Sequence, residues 1–252
     1  MKNFYGKLLS PPTYNFKLSK NIKLKVHTYS LNFAHSDLSG YNVCPFANKL
    51  VEGEQSKNKS SCSSVCVGYR GNAQRFKSVM QSRIKKTKMF FNNREEFLKL
   101  LIKDIKKAIA FSESKGFKAS FRLNAYSDIK WENIKIDNGE IFPPNIFELF
   151  SDQIFYDYTK HPSREVPSNY HLTYSHWGNW DHTQQNINNR NNIAMVFNEL
   201  PNKYKNIKVV NGDDNDLRTK QNDGNGVIVG LKFKGSKKEL NNGITEGFVV
   251  EA

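Results

Sequence analysis

Apolar residues recur at every second position in "IKLKVHTYSLNF", residues 22–33, which places Ile22, Leu24 and Val26 on one face and predicts a first strand. A polar segment follows, from Asn42 to Tyr69, and reads as a loop. The period then changes. From Arg70 to about Phe91 it is helical, and "NREEFLKLLIKDIKKAIAFSESKG" predicts a long helix. Asn93 is placed to cap it, Glu95 and Glu96 suit its positive end, and Phe97, Leu98, Leu101, Ile102, Ile105 and Ile109 repeat at helical spacing until Gly116 stops it. Beyond that point come short apolar or aromatic runs that each end in polar residues: "FKASFRLNAYSD", "IFYDYTK", "YHLTYSH", "NIAMVF", "IKVVNG" and "GVIVGLKFKG".

Strand–connection–strand units of this kind predict an α/β fold, a full or partial (β/α) barrel of mainly parallel strands, with the cysteine-bearing loop after the first core strand. The expected organisation is a single domain over residues 1–252, with a short N-terminal extension over residues 1–20 and a surface insertion at about residues 50–60, where "EGEQSKNKSS" has a flexible composition. Ligands bind beyond the carboxyl ends of strands in such folds. Asn124, Ser127, Asp128, Asp157, Thr159, Lys160, Thr173, Ser175 and Asp213 are therefore expected to converge on one rim.

Composition narrows the chemistry. A chain of 252 residues buries an ordinary core without cross-links, and no stretch approaches the roughly 20 apolar residues that span a bilayer. The expectation is a soluble, cytoplasmic protein (host cytoplasm if the source is viral) with no membrane partner. A formal charge of +14 favours polyanions, so a nucleic acid or nucleotide is the expected partner or substrate. Tyr156, Tyr158, Tyr170, Tyr174, Trp177 and Trp180 interleave with Lys160, His161, Arg164 and His171, a mixture able to stack unpaired bases. No Gly-rich phosphate loop, nucleophile elbow or helical zinc-spaced histidine pair is present, which argues against those routes to nucleotide hydrolysis and acyl transfer.

All three cysteines lie in the loop: Cys44, Cys62 and Cys66. Three thiolates without a fourth suit a metal centre with one open position, such as a [4Fe–4S] cluster. Zinc is the alternative, and a structural site would need a histidine such as His27 or His35 as the fourth ligand. "NGDDNDLR", residues 211–218, crowds acids as a divalent-cation loop would, but without the Ca²⁺-loop spacing.

The order "CP-x-A … C-x-x-x-C", "R-x-x-K-T-x-x-F", "FRLNAYSDIKWE", "FYDYTK", "NYHLTYS", "NIAMVF" and "NGDDNDLR … GVIVGLKFKG" resembles a family of phage-encoded proteins known as gene product 88-like, from about Lys25 to Val250. The arrangement also resembles radical S-adenosylmethionine enzymes. That second resemblance implies a barrel-type fold, a [4Fe–4S] cluster held by Cys44, Cys62 and Cys66, and S-adenosylmethionine on the open iron. It further implies Tyr69 covering the cluster or adenine, cofactor contacts from Arg122, Asn124, Ser127 and Asp128, and Asp157, Lys160, Ser175 and Asp213 as substrate-facing catalytic groups. Two functions of different class follow: a radical-S-adenosylmethionine-like enzyme acting on a nucleotide, nucleic acid or other anionic substrate, or a non-enzymatic, zinc-stabilised nucleic-acid-binding phage protein used in replication or host takeover.

Overall fold

The computed structural model describes residues 7–46, 66, 68, 76–137 and 139–252. The predicted insertion, Cys62 and Tyr69 lie outside the described residues. The fold is mixed α/β, and among the described residues ten strands form a mostly parallel sheet that does not close into a barrel. The end strands β1 (Leu9–Ser10) and β7 (Lys203–Tyr204) are two-residue antiparallel additions, so the sheet stays open. The described residues divide into two compact units, 7–44, 68, 76–157 and 165–171 in the first and 45–46, 66, 158–164 and 172–252 in the second.

In the first unit β2 (Val26–Leu31) pairs in parallel with β3 (Lys118–Arg122), in register Val26 to Lys118 and Ser30 to Arg122. β3 pairs in parallel with the start of β4 (Ile154–Thr159). The first strand is shorter than the alternation in residues 22–33 predicts. Lys20–Leu24 form a 3-10 helix and Lys25 takes a left-handed conformation (φ 58°), which turns the chain into β2 and leaves Leu24 exposed. The N-terminal segment is built into the unit, because Leu8, Leu9 and Leu18 are buried.

Two helices cover this part of the sheet. α2 (Arg94–Ser114) follows its predicted pattern, burying Phe97, Leu98, Leu101 and Ile105, and Gly116 ends it at φ 73°, a conformation that favours glycine. Asn93 stands at the cap position but its side chain makes no capping bond. α1 (Lys77–Asn92) is unusual, since its buried residues are Arg83, Lys86, Thr87 and Phe90, at helical spacing and mostly polar. Phe90 joins Phe33, Phe97 and Trp131 in an aromatic cluster with ring centroids 5.1–6.3 Å apart.

In the second unit β5 (Tyr170–Ser175) pairs with β6 (Ile193–Phe197), β6 with β9 (Ile228–Lys232), and β9 with β8 (Ile207–Asn211), all in parallel. β10 (Val249–Val250) adds to β6, also in parallel. Tyr174, Ile193, Met195, Phe197, Ile228 and Val250 make up the core here. Among the described residues, no helix is long and apolar enough to cross a membrane.

Candidate functional site

In the first unit the carboxyl ends of β2 and β3, with Asp157 of β4, gather several buried polar groups, among them His35, Arg122, Asn124, Ser127, Asp128 and Asp157. Beyond β2 the chain enters the loop that carries Cys44, and beyond β3 it enters "LNAYSD". These two loops hold each other: the Asp128 N–H donates to the Val43 carbonyl at 2.8 Å, and the Cys44 thiol lies 3.5 Å from the Tyr126 carbonyl. The Ser36 N–H donates to Cys44 Sγ at 3.3 Å, from a residue at φ 53°. A non-glycine residue in that region is strained, and here the strain aims a donor at a sulfur.

His35 sits on the same loop, 1 % exposed. Burial, then the charge of Arg83, bring its imidazole down to about 4, with Asp37 opposing, so it is neutral at physiological pH. Gly68 packs against it: a Cβ there would stand 2.9 Å from His35 Nδ1. The Gly68 carbonyl accepts from Arg83 Nη1 at 2.9 Å, and the Arg83 guanidinium lies 4.1 Å from the centre of the Tyr126 ring. Glycine is required by this close approach. Gly68→Ala is expected to lower stability by about 1–3 kcal/mol through overpacking, as read by denaturant unfolding against the parent protein.

Asp157, near the end of β4, is fully buried and binds the start of the β3 loop. Its Oδ2 accepts from the N–H groups of Leu123 and Asn124 at 3.1 and 3.0 Å and from the Tyr170 hydroxyl at 3.2 Å. Arg122 Nε approaches Oδ1 at 3.7 Å. Desolvation pushes the carboxyl up to about 7, although Arg122 and the three donors pull the other way. A carboxyl that titrates there can hold or release a proton at working pH.

Asn124 shapes the loop. Its Nδ2 donates to the Ile129 carbonyl and the Tyr170 hydroxyl, and its Oδ1 accepts from Ser127 Oγ and the Ile129 N–H. Both polar atoms thus have partners inside the protein. Ser127 and Asp128 are each 8 % exposed and Arg122 is 9 %.

A family-wide sequence profile described as gene product 88 matches residues 7–251. The chain belongs to the gene product 88 family. No curated protein and no solved structure matches it. The match runs beyond the expected Lys25–Val250 at both ends, to residues 7 and 251, and brings no activity with it.

Other residues singled out in this gene product 88 protein lie in the second unit. Lys160 Nζ is 3.4 Å from Ser175 Oγ. Asp213 ties β8 to the end of β9, its carboxylate accepting from the Lys232 N–H at 3.1 Å and Lys234 Nζ at 2.7 Å. Cys66 is half-buried. Among the described residues no three histidine, cysteine or acidic side chains form a metal-binding group; Cys62 lies outside them.

Sequence reading passed over Arg83 and Lys86. Lys86 is 6 % exposed, donates to the Leu8 carbonyl at 2.7 Å, and has its ammonium brought down to about 8 by burial against the pull of Asp104. The signal was in the block "R-x-x-K-T-x-x-F", whose four fixed residues are the buried face of α1. A polar stripe at that spacing reads as a solvated face unless the opposite face is more polar still.

Proposed function

We propose that this protein is a radical-S-adenosylmethionine-like iron–sulfur enzyme acting on an anionic substrate such as a nucleotide or nucleic acid. The observation that carries the reading is the pairing of the Cys44 loop with the "LNAYSD" loop, at the carboxyl ends of adjacent parallel strands. Cys44 fits a thiolate ligand, because a backbone N–H is aimed at its sulfur. The sequence supplies Cys62 and Cys66 as the other two ligands. A cluster bound there would supply an electron to the sulfonium of S-adenosylmethionine and so cleave a carbon–sulfur bond.

The chain's own groups then have separable tasks. Asp157 and Asn124 fix the β3 loop through their hydrogen bonds, and that loop in turn holds Val43 and Cys44 in place. Neutral His35 and the stacked Arg83–Tyr126 pair wall the loop without adding negative charge. Anaerobic purification and reconstitution with iron and sulfide should give a brown protein with broad visible charge-transfer absorption. A colourless protein containing about one zinc would overturn the enzymatic reading in favour of a zinc-stabilised nucleic-acid-binding protein, which the charge of +14 also suits.

A further inference from the structure

A cleft of about 1060 Å³ opens in the first unit, bounded by β1, the end of β2, α1 and α2. Its lining carries four cations, Lys7, Arg83, Lys86 and Lys107, against a single carboxylate, Asp104. That carboxylate is already engaged, since Asp104 Oδ2 accepts from the N–H groups of Leu8 and Leu9 at 2.7 and 3.2 Å. Ser78 and Val79, in the first turn of α1, also line the cleft. That turn contains no acidic residue and no side chain caps it, so the positive end of a 16-residue helix adds to the cationic wall.

The rim is aromatic. Tyr14, Phe16 and Phe111 line the cleft and are 76 %, 78 % and 54 % exposed. Phe76 and Phe142 are exposed elsewhere, but Tyr14, Phe16 and Phe111 are gathered beside one concave cationic surface. Rings suit the flat face of a base, and lysine, arginine and a helix N-terminus suit a phosphate. Tyr126, on the loop after β3, belongs to this lining and also touches the cysteine loop, its carbonyl 3.5 Å from the Cys44 thiol.

From these features we propose that the cleft binds a phosphorylated nucleoside, with the phosphate against Lys7, Lys107, Arg83 and the first turn of α1 and the base stacked on the rim aromatics. The ligand is either a free nucleotide or one unit of a single strand. The proposal deepens the enzymatic reading by naming the substrate class and its place, but binding here does not need the metal, and it is tested on metal-free protein.

The test titrates metal-free full-length protein with two probes, adenosine monophosphate by calorimetry and a fluorescein-labelled oligothymidylate by anisotropy, and with inorganic phosphate by calorimetry as a control ligand. The double variant Lys7→Glu/Lys107→Glu should weaken binding by roughly tenfold or more and flatten its salt dependence. Lys237→Glu/Lys238→Glu makes the same charge change at exposed positions on α3 (Lys237–Thr245) and should leave binding near the parent value. Tyr14→Ala/Phe16→Ala should weaken nucleotide or oligonucleotide binding several-fold while leaving inorganic phosphate unaffected. Loss with both probes identifies a nucleotide site, and loss with the oligonucleotide alone identifies a single-strand site. Equal weakening by the two lysine pairs, or no binding of either probe below millimolar concentration, overturns the proposal. A colourless, zinc-containing protein that still binds through the cleft would sink the cluster and leave the cleft standing.

Discussion

Asp157→Ala should destabilise the protein by about 3–5 kcal/mol. The substitution removes one acceptor and strands three donors in a buried site: the N–H groups of Leu123 and Asn124 and the Tyr170 hydroxyl. Each such loss costs about 1–3 kcal/mol, and the three are coupled, so their sum is an upper bound. Asp157→Asn keeps an acceptor in place and should recover most of the loss. The two variants also separate charge from hydrogen bonding. Because the folded carboxyl titrates at about 7 rather than at the ordinary 3.8, the folded state holds its proton more tightly than the unfolded chain does. Its favourable contribution is complete below pH 3.8 and is lost as pH rises through 7. The parent should therefore lose stability relative to Asp157→Asn across that window, by an amount on the order of 4 kcal/mol, read from urea midpoints at several pH values. An alanine variant within 1 kcal/mol of the parent would show that the β3 loop does not depend on this carboxylate.

The second large effect concerns the thiols. Cys44→Ala, Cys62→Ala and Cys66→Ala should each abolish iron and sulfide content after reconstitution, because two thiolates hold a soft metal poorly. For Cys44 the loss should come with the fold intact, since its backbone bonds to Asn42 and those of neighbouring Val43 to Ser36 and Asp128 do not involve the sulfur. Thermal unfolding of the variant beside elemental analysis distinguishes loss of ligand from loss of structure. Full metal occupancy in all three single variants would remove the cluster from the account.

Much of this architecture is legible in the chain. The runs "FKASFR", "IFYDYT", "YHLTYS", "IAMVF" and "VIVGLK" are strands or nearly so, because β-branched and aromatic residues bounded by polar ones have few other uses. α2 is legible for the same kind of reason, its apolar stripe being long and regular. Less visible is any feature in which a polar residue is satisfied by a distant one. Asn124 reads in sequence as a group offered to a ligand, yet its amide is spent on Ile129, Ser127 and Tyr170, the last of them 46 residues away. Arg83 and Lys86 read as surface charge, and become interior because the carbonyls of Gly68 and Leu8 are there to receive them. The alternation at Ile22 and Leu24 misleads because period two is shared by strands and by short irregular turns, and only the left-handed Lys25 decides between them.

The two-residue end strands have a consequence for how this protein behaves at high concentration. A sheet edge presents a row of unsatisfied backbone groups that can recruit a strand from a second molecule and seed a fibre. β1 offers only Leu9 and Ser10 before Pro11 and Pro12, which lack the N–H needed to extend pairing. β7 offers only Lys203 and Tyr204, then turns sharply through Lys205 and Asn206, both at positive φ, with Lys203 adding an exposed charge. Each end is thus guarded against edge-to-edge self-association by length and by chemistry, even though the chain exposes several aromatics.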